Sequence, residues 1–181
     1  MLINLSNSIL LIIDVQQKLI SSIKDNISIV ENIFKLVKIF NTLDIPIIYS
    51  EQYPKGLGKT VEKIKKELNH DNNLIIKDSF SCWEEDHFMK LVNKKKRNQI
   101  IICGIETHIC VLQTALDLVK NNFSVFVVRD AVGSRAYENH NEGVNRMKMN
   151  SIQIVTLEMV LFELLKNSKH KKFKELSSLI K

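Results

Sequence analysis

Three residues of this chain have side chains that together suit nucleophilic catalysis. Asp14, Lys77 and Cys110 each stand at or soon after the end of a short apolar run. An ammonium group favours the thiolate form of a nearby cysteine, and a carboxylate can take up the thiol proton and later return it. The residue types therefore predict Cys110 as a nucleophile, Asp14 as its general base and acid, and Lys77 as the cation that favours the thiolate.

The hydrophobic pattern predicts the elements that position these residues. Short continuous apolar runs are typical of strands buried on both faces of a parallel sheet, and segments with helical spacing alternate with them. Such alternation indicates right-handed crossovers and a three-layer αβα sandwich of the Rossmann-like α/β class. Six strands are predicted at 8–13, 46–49, 74–76, 100–103, 124–128 and 152–155, and helices at 27–43, 61–68, 84–95, 107–121, 139–150 and 156–165.

The predicted sheet also indicates where the reactive residues meet. Ligands of open parallel sheets bind beyond the carboxyl ends of the strands, where Asp14, Lys77 and Cys110 are expected to converge. If Thr107 caps the helix that follows the fourth strand, Cys110 is its third residue. The positive end of the helix dipole then favours a thiolate, and the backbone N–H groups between Glu106 and Cys110 can bind an oxyanion.

Five residues near the second and third strand ends are candidates for substrate binding, each with a structural alternative. Glu51, Gln52 and Tyr53 follow the second strand and either line the rim of the site or form a polar loop. Phe80 and Trp83 follow the lysine strand and either form an apolar wall or pack in the core.

Further polar residues near the strand ends are more ambiguous. Gln16 either hydrogen-bonds beside the first-strand carboxylate or caps the segment that follows, and the sequence leaves both open. His108 either contacts substrate or lies at the surface in the first helical turn. Cys103 is expected to lie in the core, since unpaired cysteines are usually small buried hydrophobes, and Cys82 is expected to be either structural or incidentally reactive. Asp130 is expected to shape the turn after the fifth strand.

Length and composition predict one ordinary globular domain over residues 1–181, with a basic tail from about 168. Hydrophobic residues make up 45% of the 181, which excludes disorder over most of the length. The three cysteines are too few for a disulfide scaffold and fit a reducing compartment such as the cytoplasm. No apolar run reaches the roughly 18 residues of a membrane span, and the first residues do not read as a signal peptide.

The charge pattern leaves a second class of function open. The net charge of +6 comes partly from basic clusters at 94–97 and 169–174. The first cluster is interpreted as a solvated helix end, because no aromatic residue interleaves it. The alternative is a scaffold or binding protein that offers this basic surface to a nucleic acid or an acidic partner. A nucleotide cofactor is not expected, because DVQQKL rather than a glycine-rich loop follows the first strand. The apolar helix at 156–165 is either buried within the monomer or contributes to a homo-oligomer.

Several longer motifs, in order along nearly the whole chain, now permit a family comparison. The sequence resembles the isochorismatase-like cysteine hydrolase superfamily, and within it most closely the isochorismatase domain-containing proteins. The resemblance rests on LIIDVQ at 11–16, EQYPKGLGKTV at 51–61, IKDSF at 76–80, GIETHICVLQTALDL at 104–118 and TLEMVLFELL at 156–165.

The resemblance implies a six-stranded parallel sheet and an Asp–Lys–Cys triad formed by Asp14, Lys77 and Cys110. In that triad the cysteine attacks a carbonyl, the aspartate moves the proton and the lysine stabilises charge. The resemblance also implies a cis peptide bond between Ile105 and Glu106, beside the oxyanion site that includes the Cys110 N–H.

The chain departs from two branches of that superfamily. Nicotinamidases bind a metal through an aspartate and two histidines after the second strand, whereas SEQYPKG at 50–56 contains no histidine, so no metal is expected. True isochorismatases hydrolyse a vinyl ether and can lack the cysteine, whereas the presence of Cys110 favours acyl chemistry. The resulting prediction is a metal-independent cysteine hydrolase for a small amide or related acyl substrate.

Overall fold

The computed structural model describes residues 1–68 and 73–180, and one parallel sheet lies at its centre. Its strands are β1 (Ser8–Ile13), β2 (Ile47–Gln52), β3 (Leu74–Lys77), β4 (Gln99–Ile105), β5 (Ser124–Gly133) and β6 (Gln153–Val155). The strand order is β3-β2-β1-β4-β5-β6, and every neighbouring pair is parallel. The predicted α/β class with six parallel strands is confirmed.

Helices cover both faces of the sheet. They are α1 (Gln17–Ile20), α2 (Asn26–Thr42), α3 (Pro54–Leu57), α4 (Glu62–Lys65), α5 (Asp86–Lys95), α6 (Leu112–Lys120), α7 (Tyr137–Met149), α8 (Leu157–Leu165) and α9 (Phe173–Ser177), with a π-helical turn at Thr107–Val111. Among the residues that the structure describes, no helix is both long and apolar enough to cross a membrane.

The alternating side chains of β1 show why its apolar run is continuous. Leu10 and Ile12 belong to a core shared with α2 and α8, whereas Ile9 and Leu11 belong to a second core shared with α5, α6 and α7. All six residues of β1 are buried, because a parallel strand with helices on both faces has no solvent side. The three layers therefore follow from two apolar cores on either side of one sheet.

Strand β5 is longer than the sequence predicted, and this changes the role of Asp130. The strand continues past Val128 to Gly133, and its pairing with β4 shifts register between Ile102 and Gly104. The expectation that Asp130 shapes a turn is therefore wrong. The residue lies within β5, and its carboxylate accepts a hydrogen bond from the Leu157 N–H at 2.9 Å, at the start of α8.

The basic C-terminal segment packs on the domain instead of trailing from it. Leu176 in α9 is buried in the core that contains α2 and α8. The Phe173 ring lies 6.2 Å from the ring of Phe162 in α8, measured between centroids. Apolar residues of α9 therefore hold this segment, while its lysines remain at the surface.

The first strand lies at the point where the strand order reverses, and Gly104 sets its distance from β4. Chain connections run outward from β1 on both sides, which leaves a crevice beyond the carboxyl ends of β1 and β4. Gly104 pairs with Ile13 and has a φ of +121°, and a Cβ atom there would lie 2.1 Å from the Ile13 carbonyl oxygen. Only glycine permits this approach, which brings the strand end before Asp14 beside the segment leading to Cys110.

The substitution Gly104→Ala is expected to lower the free energy of unfolding by about 2 kcal/mol or more, because it combines a backbone clash with a positive φ. Urea denaturation followed by circular dichroism measures the loss. Gly143→Ala is the comparator, since a Cβ there would lie 3.0 Å from the Cα of His108 without a positive φ, and it is expected to cost less. Equal stability of Gly104→Ala and the wild type would show that the approach of β4 to β1 is not tight.

Candidate active site

A buried ion pair lies at the carboxyl ends of β1 and β3. The Lys77 Nζ lies 2.7 Å from Asp14 Oδ2, and neither side chain is exposed to solvent. Ser50, on the intervening strand β2, donates its hydroxyl proton to Asp14 Oδ1 at 2.7 Å. Both oxygens of the carboxylate therefore accept hydrogen bonds, which offsets part of the cost of burying the charge.

The Lys77 ammonium group has further partners that keep it in place. It donates to Gln52 Oε1 at 2.7 Å and lies 3.2 Å from each of the backbone carbonyl oxygens of Ser79 and Phe80. Burial by itself lowers the pKa of Lys77, but the Asp14 charge and the neighbouring thiols outweigh burial, and the pKa lies above its ordinary value. Lys77 therefore carries a positive charge at neutral pH.

Cys110 completes the cluster from the π-helical turn after β4. Burial is the main effect that raises the pKa of Cys110, and the charge of Asp14 and a hydrogen bond with it raise the pKa further. The positive charge of Lys77 lowers the pKa of Cys110, but by less than the other effects raise it. Lys77 thus favours the thiolate, but burial and the Asp14 charge outweigh it, so the pKa of Cys110 lies above its ordinary value.

The helix start also differs from the expectation. Glu106, and not Thr107, is the N-cap residue, so Cys110 is the fourth residue of the turn and not the third. The peptide bond between Ile105 and Glu106 is cis. The Glu106 carbonyl oxygen accepts the N–H groups of Ile109 at 3.1 Å and Val111 at 3.2 Å. This wider turn lies directly after the end of β4, and Cys110 in it is only 8% exposed.

Two of the proposed substrate-binding residues are engaged in shaping the loop after β2. The Gln16 amide nitrogen donates to the Gln52 and Gly58 carbonyl oxygens at 3.0 and 2.6 Å, and its oxygen accepts the Gln52 N–H at 2.7 Å. The Glu51 carboxylate accepts both the N–H and the hydroxyl of Thr60. The alternative in which Gln16 caps the segment that follows it is wrong, because its side chain makes no capping hydrogen bond to α1 and instead holds the loop after β2.

The three aromatic candidates divide into exposed and packed rings. Tyr53 and Phe80 are each 54% exposed, and each is tied to Lys77 through its backbone. Trp83 instead packs edge-on against Phe88 and Phe123, with centroid distances of 6.2 and 5.7 Å. The exposed pair lies beside the triad, whereas Trp83 belongs to the packing between helices and sheet.

Sequence reasoning missed Ser50 and gave Cys82 either a structural role or incidental reactivity. The position of Ser50 directly after the predicted strand at 46–49 was the signal that could have identified it. Cys82 is fully buried, its N–H donates to the Thr114 hydroxyl at 3.0 Å, and burial raises its pKa to about 11. The charge of Lys77 lowers the pKa of the Cys82 thiol, which shows that Cys82 lies near Lys77. Cys103, by contrast, lies inside the core, where burial alone raises its pKa.

Residues 106 and 108 direct their side chains away from the sulfur. The Glu106 carboxylate accepts the N–H and the Nε–H of Arg135, and His108 Nδ1 lies 3.0 Å from the Ser134 hydroxyl. His108 lies in the first turn with a half-buried, hydrogen-bonded ring. Across residues 1–68 and 73–180, no group of three or more histidine, cysteine and acidic side chains is arranged to hold a metal ion.

Comparisons with known proteins relate this geometry to one family. The isochorismatase domain model matches residues 8–159. Isochorismatase family protein 1A of Dictyostelium discoideum is 40% identical over 176 residues, which cover 94% of this chain and 84% of that protein.

Two solved structures are similar over nearly the whole chain. The MAR1 ribonuclease of Caenorhabditis elegans superposes with a TM-score of 0.94 at 37% identity, covering 99% of this chain and 92% of the other. The YcaC gene product of Escherichia coli, an octameric hydrolase of unknown specificity, superposes with a TM-score of 0.93 at 25% identity, covering 99% and 89%.

The substitution Lys77→Met is expected to lower the free energy of unfolding by about 3–5 kcal/mol, because it leaves the Asp14 carboxylate buried without its cation. Because the pKa of Lys77 is raised in the folded protein, the stabilisation is complete below its ordinary value of 10.5 and is lost as the pH rises through the folded value. Urea denaturation at neutral pH measures the loss.

The double variant Asp14→Leu/Lys77→Met is the matched control. It removes both charges and is expected to recover most of the stability that the single change loses. A double variant that is less stable than Lys77→Met would contradict this view of the pair.

Proposed function

Because the chain belongs to the isochorismatase family, with a domain match over residues 8–159, we propose that it is a metal-independent cysteine hydrolase. We propose that it cleaves a small amide or a related acyl substrate. One observation carries the proposal: the Cys110 thiol lies near enough to the buried Asp14 carboxylate for that charge to raise the pKa of the thiol, and the carboxylate is itself paired with a buried ammonium group. A thiol, a proton acceptor and a fixed cation are the groups that acyl transfer through a thioester requires.

In the first half of the reaction, the thiol loses its proton as the sulfur attacks. The proton moves from Cys110 to Asp14 while a bond forms between Sγ and the substrate carbonyl carbon. The carbonyl oxygen becomes an oxyanion, for which we propose the backbone N–H groups of Glu106 and Cys110 as donors. Lys77 remains protonated and balances the charge of the Asp14 side chain whenever the proton leaves it.

In the second half, the intermediate collapses and water completes the turnover. The carbon–nitrogen bond breaks, and Asp14 returns its proton to the departing amine, leaving a thioester on Cys110. A water molecule then attacks the thioester carbon and gives one proton to Asp14, which passes it to the sulfur as the acid is released. Amide and water thus become acid and amine, and the triad returns to its starting state.

The surroundings of the triad suggest the kind of substrate. Cys110 is 8% exposed, so only a small or slender group can reach the sulfur without movement of the protein. Tyr53 and Phe80 have half-exposed rings and contact Lys77 through their backbone groups, and we propose that these rings pack on an apolar or planar substituent of the substrate. We therefore propose a small, uncharged amide with an apolar part, and no cofactor.

A ribonuclease is the second candidate, because the Caenorhabditis elegans relative bears that name and this chain has a net charge of +6. The position of the basic clusters argues against it. Lys94 and Lys95 end α5 just before β4 begins, and residues 169–174 follow α8, whose Glu163 accepts the Ile3 N–H before β1 begins. Both clusters therefore lie at the amino edge of the sheet, whereas the triad lies at the carboxyl edge.

Assembly and compartment are further parts of the proposal. Met159 and Phe162 of α8 are 45% and 40% exposed and line an apolar groove of about 740 Å³ with Leu2. An octameric relative supports burial of this surface in a homo-oligomer. The cysteines of the described chain are all free thiols, which supports a reducing compartment such as the cytoplasm.

The substitution Cys110→Ser is expected to lower amide turnover by at least about 10³-fold while leaving the fold intact, because it removes the nucleophile. Turnover of a panel of small amides, with intact-mass detection of the acyl-enzyme, provides the measurement. Cys82→Ala is the control and is expected to keep both the adduct and the turnover. An adduct that forms on Cys82 and not on Cys110 would contradict the assignment of Cys110 as the nucleophile.

Neutralising the basic cluster with Lys94→Gln, Lys95→Gln and Lys96→Gln is expected to leave amide turnover unchanged, since these residues lie far from the triad. The same variant, the wild type and Cys110→Ser are incubated with single-stranded RNA at physiological salt. We expect no cleavage that depends on Cys110. RNA cleavage that Cys110→Ser abolishes would replace the amide proposal with the ribonuclease one.

A further inference from the structure

The turn that carries Cys110 is held by side chains from α7 and from the short segment that joins β5 to α7. The Thr107 hydroxyl lies 3.0 Å from His140 Nδ1, and His108 Nδ1 lies 3.0 Å from the Ser134 hydroxyl. Thr107 has no exposed surface, and His140 is only half-buried. A fully buried residue of the catalytic turn is therefore joined to a residue that borders solvent.

Two further contacts hold the turn that carries Cys110 against α7 and the residues before it. The Glu106 carboxylate accepts the backbone N–H of Arg135 at 3.0 Å, so successive residues of the turn are each hydrogen-bonded to the same segment. Gly143 of α7 lies so close that a Cβ atom on it would be 3.0 Å from the Cα of His108. The turn has little room to move unless this segment moves as well.

We propose that His140 is a positioning residue for Cys110, acting through its hydrogen bond with Thr107. The inference rests on the proposed function, because it concerns the placement of the nucleophile assigned there. Thr107 precedes Cys110 by three residues, one turn of helix in the same short element. Rotation of Thr107 would therefore move the sulfur relative to Asp14, and small displacements of a reacting group cost large factors in rate.

The bond requires a particular form of the imidazole. We propose that the Thr107 hydroxyl is the donor in this 3.0 Å contact, which requires a neutral ring that carries its hydrogen on Nε2 and leaves Nδ1 free to accept. Burial lowers the pKa of His140, and the charge of Arg129 lowers it further, so the neutral form prevails at neutral pH. Protonation places a hydrogen on Nδ1, and the Thr107 hydroxyl proton then loses its acceptor.

Solvent reaches His140 through a cavity of about 300 Å³ at the carboxyl end of β5. The titratable and charged groups around this cavity come from three elements. They are Lys24 and Asp25 before α2, Arg129 and Asp130 in β5, and Tyr137 at the start of α7. Asp25 accepts the Tyr137 hydroxyl and Asp130 accepts the Leu157 N–H, so both carboxylates are engaged near the ring.

The test measures the rate at which iodoacetamide alkylates Cys110, by intact mass and peptide mapping, from about pH 5 to about pH 8. His140→Leu removes the acceptor and is expected to lower the rate roughly 10- to 100-fold at neutral pH. His140→Asn places a neutral amide oxygen near the Nδ1 position and is expected to restore most of the rate. The ratio of wild-type rate to His140→Asn rate is expected to fall as the pH drops below 6.5, because only the wild-type acceptor is protonated.

Matched variants separate positioning from a general loss of stability. His87→Leu makes the same change at an exposed site on α5 and is expected to react like the wild type. Thr107→Val removes the other partner of the bond and is expected to match His140→Leu, which keeps the test usable if His140→Leu does not fold. Thermal unfolding of each variant is measured alongside the rates.

Two results would overturn the inference: equal alkylation of Cys110 in the wild type, His140→Leu and Thr107→Val, or a rate ratio that does not change with pH. A wild-type Cys110 that does not react at all, while Cys82 does, would instead contradict the proposed function. The two failures are therefore distinguishable in one set of measurements.

Discussion

The buried pair of Asp14 and Lys77 is the interaction on which the rest of the site depends. Removing two opposite charges from water costs several kcal/mol for each ion, and only close contact with additional hydrogen bonds offsets that cost. The structure supplies these through Ser50, Gln52 and the carbonyl groups after β3. Strand β2 provides both side chains, since it lies between the strands that carry the charged partners.

The same low-polarity surroundings decide the resting state of Cys110, the proposed nucleophile. Burial opposes any charge on Cys110, and the carboxylate beside it opposes a second negative charge, so the cation alone does not ionise the sulfur. We therefore expect the proton to leave during attack and not before it. A neutral, nearly covered thiol is also less exposed to oxidation than a preformed thiolate, because susceptibility follows thiolate character and access.

The proposed triad and the basic clusters lie at opposite ends of the strands. The triad, the exposed rings of Tyr53 and Phe80, and the attached His140 lie at the carboxyl edge, whereas the basic clusters lie at the amino edge. This separation follows from parallel topology, in which every strand ends at one edge and every crossover helix returns to the other. The net charge of +6 is therefore a poor guide to the substrate of the triad.

The sequence alone determined the α/β class, the six strands and the residues that meet at the strand ends, because continuous apolar runs between amphipathic helices admit few other folds. The side-chain partners, the length of β5 and the protonation of Cys110 became known only from the tertiary structure, because a hydrophobic pattern does not encode them. The side chains of Gln16 and Glu106 bind backbone groups far away in sequence, at Gly58 and Arg135. Strand β5 continues past its apolar run because β4 pairs with it. The protonation of Cys110 also depended on three dimensions, since a pKa reflects the surroundings of the sulfur and not the order of its neighbours along the chain.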